Sequence, residues 1–327
     1  MDRLRWGILS TARIGVRRLL PAFARSERNV VQAIASRDLG RAEQVASRFG
    51  IPRAYGSYEA LLDDPEIEAI YNPLPNTLHR PWTLRAAASS KHVLCEKPLA
   101  LAAPEAAEML AACRRARVLL QEAFMYRFHP QIEELRRRIV NGGIGTVWLV
   151  RSAFTFTVAS ATDIRLNLAL GGGGLMDVGC YCVSIGRLVL GEPESVWAAA
   201  TFEGGVDVRL AGALRFADGA TALIDCGVRA VARQFAEVVG TEGSVTLPRP
   251  FQPEEDPAVV LVRRGREEER IEIPGTNQYL LMLDHFAQCV RGTASPRFPA
   301  EDAVANMKVL DALAQSARTG HVVEIGA

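Results

Sequence analysis

Short apolar runs alternate with helical stretches through the first third of this chain, and this alternation constrains the fold more than any other feature of the sequence. The first run, Leu4 to Leu9, is followed by a helical pattern that includes Leu20 and Phe23. Further strands are expected at Asn29–Ala35, around Ala54 and Tyr55, up to Ala69–Tyr71, and at His92–Cys95 and Val118–Gln121, with helices at Gly40–Phe49, Thr77–Ala88 and Leu101–Arg115. Strands separated by helices of about 10–15 residues indicate βαβ units and a parallel sheet. Right-handed crossovers wind such a sheet into a Rossmann-type domain.

The pattern changes near residue 122, and from Thr146 onward the chain is mostly strand. Apolar and charged residues alternate from Val206 to Phe216, which is the period of a half-buried strand. Asp218 and Gly219 then predict a hairpin turn into Thr221–Cys226. Further strands are expected at Ala236–Val239, Ser244–Leu247, Val259–Val262 and Ile271–Ile273, and helices at Met176–Leu190, Gln278–Arg291 and Glu301–Arg318.

Together these patterns predict an α/β protein with two domains. Residues 1–121 are expected to form a dinucleotide-binding domain, a Rossmann-type doubly wound parallel sheet. Residues 122–327 are expected to form an α+β substrate-binding and oligomerisation domain, built on a large, mostly antiparallel open sheet. One face of that sheet must cover the site and the other is expected to be buried against a partner subunit, which predicts a homodimer or homotetramer.

Composition excludes several classes of protein. Acidic and basic residues are balanced, with a formal net charge of +1, so no nucleic acid or anionic membrane is expected as a partner. We see neither a signal peptide nor an apolar stretch near the roughly 18–20 residues of a membrane span. The six cysteines show no paired spacing, which predicts reduced thiols in a cytoplasmic protein. The five histidines are isolated, so no metal site is expected.

The loop after the first strand is a candidate coenzyme site. A dinucleotide fingerprint would place three glycines where this chain has Ser10, Ala12 and Gly15. Both replacements are small, so the backbone can still approach a pyrophosphate, which the amide groups at the helix start would bind. The residues predicted to bind the coenzyme here are Ser10, Thr11, Ala12, Arg13, Ile14 and Gly15. The alternative is an ordinary tight turn between a strand and a helix.

The end of the second strand predicts which coenzyme is used. Ser36 stands where an acid for the ribose hydroxyl is expected, and Arg37 follows it. A hydroxyl and a guanidinium suit a dianionic phosphate, so we predict NADP, with NAD possible. The alternatives are that Asp38 reaches the ribose, or that Arg37 is only a surface residue.

Lys97 lies in the segment Cys95–Pro98, directly after the apolar end of the fifth strand. Ligands of open α/β sheets bind at the carboxyl ends of the strands. A cation fixed there, beside a bound nicotinamide, can act on a substrate hydroxyl. The alternative is a surface lysine in a strand-to-helix loop.

Three motifs of the chain belong together: Glu96-Lys97-Pro98, the run Tyr126–Pro130, and the glycine-rich run from Gly172 to Asp177, Gly179 and Tyr181. In combination they resemble the glucose-fructose oxidoreductase/inositol dehydrogenase/MocA (Gfo/Idh/MocA) family. The resemblance covers essentially the whole chain and implies that Lys97, Asp177 and Tyr181 meet at the nicotinamide. Many members have histidine at the position of Tyr181. With tyrosine at this position, the chain is similar to the branch that contains the dimeric dihydrodiol dehydrogenases and the NADP-dependent D-xylose dehydrogenases.

The chemistry of these residues agrees with that resemblance. A tyrosine with a pKa near 10 is a poor base at neutral pH, but a nearby ammonium lowers its pKa. Tyr181 is therefore expected to be the acid/base, with Lys97 as its electrostatic partner and Asp177 as an orienting or substrate-binding acceptor. In one alternative, Lys97 and not Tyr181 transfers the proton. In another, Asp177 is only a helix cap, and Tyr181 packs inside that helix one turn later.

Further candidates follow from their positions. Coenzyme contacts are expected from Pro73, Asn76, His79 and Glu96, and substrate contacts from Arg127, Arg165, Asp177 and Tyr181. Each has a structural alternative: His79 could begin a helix, and Arg127 could form an ion pair in the core. Glu96 could be a structural carboxylate beside the Lys97-Pro98 peptide bond, which can be cis because X-Pro bonds tolerate that isomer.

These expectations define an NADP-dependent dehydrogenase. Its substrate would be a small polyhydroxylated compound, an aldose oxidised at C1 or a related diol. One alternative is a catalytically silent NAD(P)-sensing regulatory protein of the same fold. Another is a reductase of keto-sugars or anhydrosugars that runs the same site backward.

Overall fold

A computed structural model of the protein describes residues 2–326. The described chain forms two compact units. The first contains residues 2–125 and Asn277–Val304, and the second contains Tyr126–Thr276 and residues 305–326.

The first unit contains a six-stranded parallel sheet with helices between the strands. Its strands are β1 (Leu4–Leu9), β2 (Asn29–Ala35), β3 (Arg53–Tyr55), β4 (Ala69–Asn72), β5 (His92–Cys95) and β6 (Leu120–Glu122). Its helices are α1 (Leu20–Arg25), α2 (Leu39–Phe49), α3 (Tyr58–Leu62), α4 (His79–Ala88) and α5 (Ala103–Ala116). The strand order is β3-β2-β1-β4-β5-β6, which confirms the predicted doubly wound topology. The order reverses between β1 and β4, and ligands of such sheets bind outside the carboxyl ends of the strands at that point.

The second unit is built on a nine-stranded sheet. Its strands are β7 (Val147–Thr157), β8 (Ser195–Glu203), β9 (Val206–Arg215), β10 (Thr221–Gly227), β11 (Arg229–Gly240), β12 (Gly243–Leu247), β13 (Ala258–Arg264), β14 (Glu267–Ile273) and β15 (Val323–Glu324). Two of its helices are α6 (Pro130–Val140) and α7 (Cys180–Leu190). The strand order is β14-β13-β12-β11-β7-β10-β9-β8-β15. Only β7 and β10 pair in parallel, so the sheet is mostly antiparallel, as predicted.

Two helices follow the last long strand, α8 (Gln278–Val290) and α9 (Ala300–Thr319). The sequence analysis assigned both to the second domain, whereas α8 and the first turn of α9 belong to the first unit. The reason is a shared core: the Trp6 ring lies 4.9 Å from Phe286 of α8 and 5.3 Å from Phe23 of α1. The polar edge of this core is also paired, since Ser26 donates to Asp284 Oδ1 at 2.5 Å. Hydrophobic periodicity predicts that α8 is a helix but not which sheet it packs on.

The hairpin predicted at Asp218 and Gly219 is confirmed. Gly219 has a φ of 85°, the left-handed region that favours glycine. The amide of Ala220 donates to Asp218 Oδ1 at 3.0 Å, and β9 and β10 pair in antiparallel register on either side.

One segment, Leu168–Leu190, is long and apolar enough to cross a membrane by length and composition. The expectation that no stretch approaches this length was therefore wrong. However, 67% of its most apolar part is buried inside the protein, and the core helix of a soluble protein meets the same criteria. The segment is therefore weak support for a membrane span.

Candidate active site

The loop after β1 contains a left-handed residue at the position where a dinucleotide fingerprint has its first glycine. Ser10 adopts a φ of 78°, a conformation that glycine takes at little cost and that other residues take rarely. Its hydroxyl accepts a hydrogen bond from the amide of Ala12 at 3.2 Å, which fixes the turn. The chain then enters a π-helical turn, Gly15–Leu19, that continues into α1. A Cβ added at Gly15 would lie 3.5 Å from the Tyr71 ring, so ordinary packing alone does not require a glycine there.

The end of β2 presents the donors that a phosphate needs. Ser36 is buried and Arg37 is exposed beside it. Asp38 caps α2, because its Oδ1 accepts from the amide of Arg41 at 3.2 Å. Burial raises the pKa of Tyr58, while the charge of Arg37 and its hydrogen bond act in the opposite direction. Arg37 is thus next to Tyr58, and a serine hydroxyl and a guanidinium at this strand end fit the extra phosphate of NADP.

Glu96 and Lys97 follow β5, and both are half-buried. Glu96 accepts a hydrogen bond from the hydroxyl of Tyr71 at 2.7 Å and one from the amide of Lys97 at 3.3 Å. Burial raises the pKa of Tyr71 well above its usual value, and the Glu96 carboxylate adds to that effect. The Lys97-Pro98 peptide bond is cis, as the sequence allowed.

His79 joins the loop after β4 to the loop after β5. Its ring is buried, with Nδ1 2.9 Å from the carbonyl oxygen of Pro98 and Nε2 2.8 Å from that of Leu74. Burial, helped by the charge of Lys97, lowers the pKa of His79 to about 4, and the backbone carbonyls act in the opposite direction. Both ring nitrogens therefore face groups of the protein. Pro73 is buried before this loop, and Asn76 begins a 3-10 turn, Asn76–Leu78, that leads into α4.

In the second unit, Arg165, Gly173 and Asp177 form a closed set of hydrogen bonds. The Arg165 Nε donates to Asp177 Oδ2 at 2.7 Å, and its Nη1 lies 3.2 Å from Asp163. The amide of Gly173 donates to the Arg165 carbonyl at 2.9 Å, and the amide of Asp177 donates to the Gly173 carbonyl at 3.0 Å. Burial lowers the pKa of Arg165, but Asp177 and Asp163 outweigh it and the pKa is raised. The guanidinium therefore fixes the Asp177 carboxylate.

Asp177 does not cap a helix, which corrects one alternative from the sequence. It lies inside a π-helical turn, Leu175–Gly179, and α7 begins only at Cys180. The glycine of this turn, Gly179, lets it approach the sheet closely, because a Cβ there would lie 2.7 Å from the sulfur of Cys226 on β10. Asp177 and Tyr181 thus lie on one continuous helical segment packed on the sheet.

The Tyr181 ring is buried in an aromatic cluster. Ring centroids of Phe251, Phe154 and Tyr126 lie 5.3, 5.5 and 5.7 Å from its own. Such contacts fix the plane of the ring while the hydroxyl stays at one end of it.

Arg127 is buried within the second unit. Its Nε and Nη2 donate to the Ser184 hydroxyl at 3.0 and 2.8 Å, and the Tyr126 hydroxyl lies 2.5 Å from the same oxygen. Ser184 is on α7, three residues after Tyr181. The sequence analysis missed Ser184, because a serine inside an apolar helix gives no sign of a distant partner.

Comparison with known proteins agrees with this geometry. A family model described as the oxidoreductase family with an NAD-binding Rossmann fold matches residues 4–124, and the GFO/IDH/MocA C-terminal domain matches residues 132–246. The chain is 43% identical over 325 residues to D-xylose 1-dehydrogenase (NADP(+)) 2 of Haloferax volcanii, covering 98% of this chain and 99% of that protein. It is 38% identical over 274 residues to trans-1,2-dihydrobenzene-1,2-diol dehydrogenase of Mus musculus, covering 81% of this chain and 79% of that protein.

Solved structures show the same architecture. The structure of a 3-ketoreductase from Actinomadura kijaniata in complex with NADP and TDP-benzene has a TM-score of 0.92 and 33% sequence identity, covering 96% of this chain and 98% of that one. The agreement extends over both units, and both halves of the chain match models of a single family. The chain therefore belongs to the Gfo/Idh/MocA family and is an NAD(P)-dependent oxidoreductase.

Proposed function

We propose that the protein transfers a hydride between NADP and a hydroxyl group of a small polyhydroxylated substrate, an aldose such as D-xylose at C1 or a related trans-diol. The observation that carries this proposal is the near full-length, 43% identity to an NADP-dependent D-xylose dehydrogenase. The side chains that the chemistry needs are also present, with Lys97 after β5 and Tyr181 at the start of α7.

The coenzyme end of the proposal rests on strand ends. When bound, NADP supplies the hydride acceptor for the oxidation. We assign the turn Ser10–Gly15 to the pyrophosphate and Ser36 with Arg37 to the ribose phosphate. The Asp38 carboxylate caps α2 by accepting from the amide of Arg41. Because Asp38 is engaged in this way, we assign the selection of the coenzyme to Arg37.

The chemical end of the proposal rests on three side chains. Oxidising an alcohol requires a base for its hydroxyl proton, and we assign this role to Tyr181. We assign to Lys97 the task of lowering the pKa of that phenol and of donating a hydrogen bond to the substrate oxygen. Asp177, fixed by Arg165, would accept a hydrogen bond from a neighbouring hydroxyl of the substrate.

Three predicted contact residues take supporting roles in this proposal. Both ring nitrogens of His79 face carbonyl oxygens, so we assign it to holding the Lys97-Pro98 turn. Glu96 is a second support of that turn through Tyr71. Arg127 is buried against Ser184, so we assign it to fixing α7 beneath Tyr181, and we keep Pro73 and Asn76 as coenzyme contacts.

A substrate panel tests the function. Purified protein is mixed with NADP and a series of pentoses, hexoses, inositols and trans-diols, and NADPH absorbance is followed. We expect turnover with at least one pentose or diol. Turnover only in the reverse direction, with keto-sugars or anhydrosugars and NADPH, would instead favour the reductase. Coenzyme binding without turnover in either direction would favour a regulatory protein.

We further propose a homodimer or homotetramer formed through the open sheet, in the cytoplasm. Trp197, Ala213 and Leu223 align across β8, β9 and β10, and both larger side chains are 44% exposed. An apolar row across a sheet face favours burial against a second copy. A monomer in light scattering at micromolar concentration would contradict the assembly.

The proposed location in the cytoplasm rests on a different observation. The six cysteines are present as thiols, which fits a reducing compartment.

A further inference from the structure

The glycine-rich run before Asp177 is held by a carboxylate from a distant strand. Asp207 lies on β9, and its Oδ2 accepts a hydrogen bond from the amide of Leu175 at 2.6 Å. A Cβ added at Gly173 would lie 2.3 Å from Asp207 Oδ1, and one at Gly174 would lie 3.3 Å from Oδ2. Gly173 also has a φ of 127°. The carboxylate therefore lies directly against the backbone, and glycine leaves the room for it.

This contact is connected to the proposed chemical groups. The amide of Asp177 donates to the carbonyl of Gly173, and the amide of Gly173 donates to the carbonyl of Arg165. The π-helical turn that starts at Leu175 continues without interruption into α7 and Tyr181. A shift of the Gly173–Leu175 backbone would therefore move both Asp177 and Tyr181.

We propose that Asp207 is a positioning residue of the active site: its carboxylate fixes Gly173–Leu175 and, through that segment, the orientation of Asp177 and Tyr181. This inference rests on the proposed function, because it assigns those two side chains to catalysis. Catalytic groups act within narrow tolerances of distance and angle, which supporting hydrogen bonds maintain. Asp207 touches neither substrate nor coenzyme in this proposal.

The electrostatic setting of Asp207 makes the contact sensitive to pH. Burial raises the pKa of Asp207 from 3.8 to about 6, while the amides of Leu175 and Gly174 and the charge of Arg318 on α9 act in the opposite direction. From β10, Cys226 faces it as a thiol whose own pKa is raised, first by burial and then by Asp207. On β8 its register partner is the uncharged Phe202. The ionised carboxylate accepts the stronger hydrogen bonds, so the hold weakens as the pH falls through about 6.

The test combines two variants with a matched control. Asp207→Ala removes the acceptor, and Asp207→Asn keeps an acceptor oxygen but cannot titrate. The control is Asp225→Asn on the adjacent strand β10, whose carboxylate pairs with Arg233. Initial rates with NADP and the best substrate of the panel are measured from pH 5 to 8. NADP affinity is measured separately by fluorescence titration, and folding by circular dichroism.

We expect Asp207→Ala to lower kcat at least tenfold with NADP affinity changed less than twofold. Every variant should lose kcat in acid, because the proposed base Tyr181 must be free of its proton to act. The wild type and the control should lose it more steeply below about pH 6 than Asp207→Asn, which stays within about fivefold of the wild type at pH 7.5. An unchanged kcat in Asp207→Ala, or an equally steep acid limb in Asp207→Asn, overturns the proposal. If Asp207→Ala does not fold, the Asp207→Asn profile decides.

A second readout separates failure of this inference from failure of the proposed function. If the wild type turns over no substrate, the function fails, and hydrogen exchange of residues 173–180 still tests the contact. All exchange rates are measured at pH 7.5. Protection of these residues should be lower in Asp207→Ala than in the wild type and in Asp225→Asn, because the acceptor for the Leu175 amide is gone. Equal protection in all three proteins would exclude a role for the Asp207 carboxylate.

Discussion

The two proposed half-sites differ in what holds their side chains in place. In the first unit, Ser10, Arg37 and Lys97 each follow a strand of the parallel sheet, so backbone pairing determines where they lie. In the second unit, Asp177 and Tyr181 lie on a helical segment that is fixed by side chains from elsewhere, Arg165 and Asp207. The first arrangement depends on local sequence, and the second depends on long-range partners. We therefore expect single substitutions to have local effects in the first unit and coupled effects in the second.

The largest effects should come from the proposed proton-transfer groups, one from each unit. Tyr181→Phe and Lys97→Met are expected to lower kcat by about 10²–10⁴, the usual contribution of acid–base catalysis. NADP affinity should be retained in Tyr181→Phe, and this is checked by fluorescence titration beside steady-state kinetics. The matched control for Tyr181→Phe is Tyr55→Phe, which removes a hydroxyl that donates to Asp64. The matched control for Lys97→Met is Lys308→Met, at an exposed position on α9. Near-normal turnover in either variant would remove that residue from the mechanism.

The next effect tests the claim that substitutions in the first unit act locally. Arg37→Ala removes a charge that would bind the phosphate of NADP, so the KM for NADP should rise about 10–100-fold while the KM for NAD and kcat stay unchanged. The control is Arg41→Ala, one turn into α2, where the guanidinium pairs with Asp38. Steady-state kinetics with both coenzymes measure the ratio. A wild type that prefers NAD, or an unaltered KM for NADP in the variant, would contradict the assignment.

Coupling in the second unit can be measured with a double-mutant cycle. Arg165→Ala and Asp177→Ala should each lower kcat/KM by about tenfold, because each removes one partner of the hydrogen bond between the two side chains. Together they should lower it little more than either does alone, since residues in one network are not additive. Losses that simply multiply would show that the pair does not act as a unit, and the contrast between the two half-sites would then disappear.

The same contrast explains which parts of the site could be predicted from sequence. Ser10, Arg37 and Lys97 were identified because an apolar run marks the strand before each of them. Asp177 and Tyr181 were identified only through resemblance to a family. Asp207 was not identified, because in an alternating strand it looks like any solvent-facing acid, and its partner Leu175 is 32 residues away in the chain. Likewise the placement of α8 in the first unit depends on the contact between Phe286 and Trp6, which no local pattern shows.

The smallest effect concerns stability and shows what the contact of Asp207 costs. Because its pKa is raised from 3.8 to about 6, the folded protein holds this proton more tightly than the unfolded chain. Stability from this group therefore falls as the pH rises from about 4 to 6, and the loss is complete above 6.

We therefore compare the free energy of unfolding of Asp207→Asn with that of the wild type at two pH values. The advantage of the variant should be about 1 kcal/mol larger at pH 8 than at pH 5, since one pKa unit corresponds to ~1.4 kcal/mol. Urea unfolding at the two pH values measures the difference, and Asp225→Asn is measured beside it as the control for removing a carboxylate from the neighbouring strand. An equal change at both pH values would mean that Asp207 does not titrate in this range. A gain in stability together with a shallower acid limb in kcat would show that this carboxylate is kept for the site and not for the fold.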